Sequence, residues 1–108
     1  MPSYLVQAAY TAEAMAALVK NPQNRLDVVR KMAESHGGKL IGGWLSFGDY
    51  DIVMIAEMPD NVSAAAIAMA AAAGGSVRAI KTTPLLTADE GQAALKKAAA
   101  SGYTPVQK

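Results

Sequence analysis

The sequence predicts an α+β fold: a four-stranded antiparallel sheet with helices on one face and a further helix at the C-terminal end. Three observations predict it. Four short apolar stretches carry strand-like spacing, helix-forming stretches stand between them, and Phe47-Gly48-Asp49-Tyr50 separates the second stretch from the third as a hairpin turn would.

Ser3 to Tyr10 is the first strand, with Tyr4, Val6, Ala8 and Tyr10 on one face and Leu5, Gln7 and Ala9 on the other. Thr11 caps a short helical segment, and Asn21-Pro22 restarts a helix on which Leu26, Val29, Met32 and Ala33 form one stripe. Gly37-Gly38 ends it, because glycine enters the left-handed conformation that closes a helix without a steric penalty. Lys39 to Phe47 is the second strand, with Gly42-Gly43 marking a bulge; without a bulge, Leu40, Gly42, Trp44 and Ser46 share a face. Tyr50 to Met58 is the third. Asp60 caps an alanine-rich helix over about 61–73, closed by Gly74-Gly75. Val77 to Leu86 is the fourth strand, placed at a sheet edge by Pro84. Thr87-Ala88-Asp89-Glu90 is a capping box opening a helix to about Ser101. The order is the ferredoxin-like split βαβ arrangement, βαββαβ, with an added C-terminal helix. The chain is one domain over 1–108, its core about 3–90 and its C-terminal helix and tail 88–108.

Composition narrows the function classes. Hydrophobic residues make up 52% of the chain and charged residues only 18%, against about 25% in an average domain. Ten basic and nine acidic residues leave a charge of +1 without a basic block, so no nucleic-acid or membrane-surface role is expected. With no cysteine and one histidine, thiolate chemistry and a histidine-cluster metal site are out, and neither metal nor cofactor is expected. The longest weakly polar run, Ala64 to Gly75, is too short for a bilayer, which needs about 20 residues. The N-terminus lacks the pattern of a signal peptide, so a cytoplasmic location is expected.

The third strand points to a partner. A sheet with one wet face alternates apolar and polar residues, yet Ile52, Met54 and Ala56 are apolar and so are Val53 and Ile55. Burying side chains such as Trp44, Ile52 and Met54 is worth about 1.5–3 kcal/mol each. A second copy of the chain packed sheet on sheet covers them; the C-terminal helix folded over the open face is the alternative.

Gly48-Asp49-Tyr50-Asp51 could be a cluster of catalytic groups or a turn. Adjacent strand residues diverge, so Tyr50 and Asp51 do not flank one substrate atom, and the turn is preferred. These residues, with Ile52-Val53, Glu57-Met58-Pro59-Asp60, the Asn21-Pro22 region and Gly75-Ser76-Val77-Arg78, resemble the pattern of the GYD-domain family over about residues 3–90, with Asp49 standing between glycine and tyrosine. The resemblance implies a ferredoxin-like fold related to the dimeric α+β barrels and implies no activity.

Candidate ligand-binding residues follow from residue type. Trp44 beside Gly42-Gly43 leaves room for a small apolar ligand, with Ser46, Tyr4 and Tyr50 offering hydroxyls and Asp51 or His36 a proton acceptor. For His36 the preferred reading is a cap at its helix end. Glu57 has Lys81 or Arg78 as candidate cross-strand partners. The preferred function is a homo-oligomeric protein that binds a small ligand or a partner without catalysis. The alternative is a cofactor-free or haem-borrowing enzyme with a cavity near Trp44.

Overall fold

A computed structural model describes residues 1–107. The elements are β1 (Ser3–Tyr10), α1 (Ala12–Lys20), α2 (Arg25–Ser35), β2 (Lys39–Leu45), β3 (Ile52–Glu57), α3 (Asn61–Ala73), β4 (Val77–Leu85) and α4 (Ala88–Ala99). The strands form one antiparallel sheet in the order β2-β3-β1-β4, consistent with a ferredoxin-like fold, and Pro84 lies on an edge strand as expected.

Local chemistry sets the boundaries. Thr11 caps α1 and Asp60 caps α3, each through its side chain, and Thr87 with Glu90 closes a full capping box on α4. Two expectations are corrected. The second helix opens at Arg25 rather than at Asn21-Pro22, because Asn24 Oδ1 accepts from the Leu26 N–H at 3.0 Å while Asn21 closes α1. The third strand begins at Ile52 rather than Tyr50. Gly48 takes φ +132°, and Ser46 and Asp51 spend their side chains holding the turn.

The bulge falls between Leu40 and Gly42 and decides what each face carries. Leu40 turns under the helices while Gly42 and Trp44 turn to the opposite side, so these three do not share a face. Tyr4, Val6, Ala8, Ile52 and Met54 meet α2 and α3 through Leu26, Val29, Ala33, Ala64 and Ile67. Ile52 and Met54 are therefore core residues beneath helices, not part of an uncovered patch. The other face carries three cross-strand rows: Trp44–Val53–Gln7–Lys81, Gly42–Ile55–Leu5–Thr83, and Lys39–Glu57–Ser3–Leu85. Glu57 thus faces Lys39, while Lys81 faces Gln7.

Among the described residues this second face is open over Trp44, Val53, Ile55 and Leu5, while Ala9 at its end near α1 is fully buried. Trp44 is 57% exposed and Val53, Ile55 and Leu5 are half-buried. α4 does not fold back over it: all its residues except Gly91 are exposed, Leu95 among them. The radius of gyration is 17.2 Å, where a compact chain of this length has about 13 Å. The accessible surface is 7629 Å², about 1,900 Å² more than a compact monomer of this mass exposes. Among the described residues no helix is long and apolar enough to cross a membrane.

Candidate functional site

An apolar concave feature of the molecule lies between the sheet and its helices. α3 presents Ala64, Ile67, Ala68 and Ala71 to the sheet, a stripe with the i, i+3, i+4, i+7 spacing of one helix face. Three of these four are alanine, so side chains do not fill the distance between helix and sheet. A cavity of about 310 Å³ results. Its floor includes Val6, Ala8, Met54, Ile80 and Thr82, and α2 supplies Val28, Met32 and Arg25 on the opposite wall.

Its polar groups are few. At one end the Tyr4 hydroxyl donates to Asn61 Oδ1 at 2.6 Å. Near the other end sit Tyr10 and Arg25, with Ser76 and Thr82 also on the lining. Burial pushes the Tyr10 phenol up; the Arg25 charge and hydrogen bond oppose that rise, and the Asp51 charge adds to it. Among the described residues, no imidazole, carboxylate or ammonium group lines the cavity, and no cluster of three or more His, Asp or Glu could hold a metal ion.

The six residues singled out in the sequence are not brought together. Tyr4 alone lines the cavity. Trp44 stands on the opposite face, its ring lying over Gly42 so closely that a Cβ there would come within 3.0 Å of it. Ser46, Tyr50 and Asp51 meet in the β2–β3 turn: Ser46 Oγ donates to the Tyr50 carbonyl at 2.8 Å, and Asp51 Oδ2 accepts from the Tyr10 N–H at 2.8 Å. The Asp51 backbone N–H donates to the Ala8 carbonyl at 2.8 Å, and its carbonyl accepts from Ser46 N–H at 2.8 Å. Asp51 therefore ties the hairpin to the end of β1, which is structural work. His36 caps α2, its Nδ1 lying 3.0 Å from the Met32 carbonyl and 3.2 Å from Ser35 Oγ. Tyr10 and Arg25 were missed; the signal for Tyr10 was its place on the same β1 face as Tyr4.

Residues 4–95 match the family described as GYD domain. A protein of Thermus thermophilus named glutamine synthetase and cystathionine beta-lyase binding protein is 27% identical over 89 residues, covering 82% of this chain and 94% of that protein.

Proposed function

Since the chain belongs to the GYD-domain family, we propose that it is a homo-oligomeric, cytoplasmic binding protein whose partners are other proteins and which catalyses no reaction itself. Two copies pair through the uncovered sheet face in the manner of a dimeric α+β barrel, and the pair presents the surface that partners meet. The observation that carries the pairing is that face: Trp44, Val53, Ile55 and Leu5 form a continuous apolar surface across β2, β3 and β1. The surplus of about 1,900 Å² per chain fits the area a permanent dimer buries. The exposed α4 arm, with Leu86 and Leu95, adds apolar surface that a second copy covers. The name of the Thermus protein supports the partner class, since a protein similar to this one over most of both lengths is named for binding two enzymes.

The enzyme alternative draws less support. Around the cavity the Tyr4 hydroxyl is committed to Asn61, and burial holds the Tyr10 phenol towards its protonated form, so neither supplies a base at neutral pH. The test is size-exclusion chromatography with light scattering, run on the protein alone and mixed with purified glutamine synthetase and cystathionine beta-lyase from the same source. Co-elution at a fixed ratio with either enzyme is the expected result. Separate elution of all three at micromolar concentration refutes the partner class, and a single-chain mass refutes the pairing.

A further inference from the structure

We infer that the cavity between α2, α3 and the sheet binds a small apolar molecule bearing one carboxylate, its body among Met32, Met54, Ile67 and Ile80 and its carboxylate at Arg25. This goes beyond the oligomer and the protein partners proposed above and depends on neither.

Size sets the class of occupant. The cavity, about 310 Å³, stands at the lower end of the range for small-molecule sites. It is too small for a polypeptide helix, which with side chains is about 10 Å across. Its walls set the body of the ligand. Alanines 64, 68 and 71 withhold volume on one side, and the unbranched, polarizable side chains of Met32 and Met54 adjust to an irregular apolar shape. Water gains few hydrogen bonds from such a lining.

Arg25 sets the head group. It is half-buried, on the cavity lining, at the first position of α2. A guanidinium has five donors; Arg25 Nη1 lies 3.3 Å from Gln23 Oε1, a further donor serves the Tyr10 hydroxyl oxygen, and Arg25 forms no ion pair among the described residues. The nearby acid, Asp51, has its Oδ2 occupied by the Tyr10 N–H. A cation at the rim of an apolar cavity, with donors to spare, matches a carboxylate, which takes the planar fork through two parallel hydrogen bonds. Tyr10, beside Arg25, offers a further hydroxyl to the same head group.

Calorimetric titration of the delipidated full chain with decanoate, 1-decanol and acetate, below the micelle concentration of decanoate, tests this. Decanoate is expected to bind at least tenfold tighter than decanol, and acetate at least tenfold weaker than decanoate. Arg25→Gln should bring decanoate down to the affinity of decanol and leave decanol unchanged, and Arg25→Lys should recover part of the difference. Ala68→Leu, which fills the cavity, should raise the thermal midpoint and abolish binding of both long-chain probes. The inference is overturned if decanoate fails to bind, if it binds no better than decanol, or if Arg25→Gln keeps the preference. Should Ala68→Leu fail to fold, the Arg25 comparison decides alone.

Discussion

Asp51 is the residue on which the turn and the site readings of Gly48-Asp49-Tyr50-Asp51 differ most sharply. Its Oδ2 accepts the Tyr10 N–H at 2.8 Å, in a half-buried position where β1 runs out of cross-strand partners on that side. In Asp51→Ala the Tyr10 N–H loses this acceptor. A hydrogen bond to a charged group contributes about 1.5–3 kcal/mol, and an orphaned donor costs a similar amount. At about 2 kcal/mol, a domain of this size loses roughly 8–16 °C in thermal midpoint. Asp51→Asn keeps an amide oxygen in place and should lose less than half as much. Circular dichroism at fixed protein concentration reads both, fixed because an oligomer's midpoint depends on concentration. An unchanged midpoint in Asp51→Ala, accompanied by loss of ligand or partner binding, would refute the structural assignment and return Asp51 to the site.

Three further predictions test other contacts. Ile55→Glu places a carboxylate in the middle of the uncovered face, where pairing would bury it without a partner; sedimentation should report single chains with unchanged far-ultraviolet dichroism, and an intact oligomer would exclude this face from the interface. The Asp60 carboxyl is held below its usual range by the Ser63 N–H it accepts at the start of α3. A depressed folded pKa gives stability that is present above the unfolded value, near pH 4, and is lost as pH falls through the folded one. Asp60→Asn should therefore lose less stability than the parent as pH falls from about 5 through the acid range; parallel curves would contradict the cap. Tyr4→Phe removes the bond to Asn61 and should cost about 0.5–1.5 kcal/mol in urea unfolding. A loss beyond 3 kcal/mol would show that the hydroxyl has a second partner.

The architecture was legible because the strands and caps carry local signals. Alternation in β1, the capping box at Thr87 and the helix stop at Gly37 each follow from chemistry within a few residues. Sidedness was less legible. The bulge at Gly42 was visible as a glycine pair, but where it falls in the ladder decides that Leu40 and Trp44 part company, and that depends on pairing with β3. The start of α2 was ambiguous for a local reason, since Asn21 and Asn24 are equally good caps and only one finds a free N–H. The site was least legible. A cavity is a difference between the distance separating two elements and the volume of the side chains between them, and nothing local in the alanines of α3 reports that distance. Arg25 and Tyr10 are fifteen residues apart and meet only because β1 and α2 converge at one end of the cavity.

The central claim is that the sheet face bearing Trp44, Val53, Ile55 and Leu5 is covered by a second copy. Native mass spectrometry of the protein at micromolar concentration tests it directly. The expected mass is that of two chains or a higher even number; a spectrum dominated by one chain would contradict the pairing.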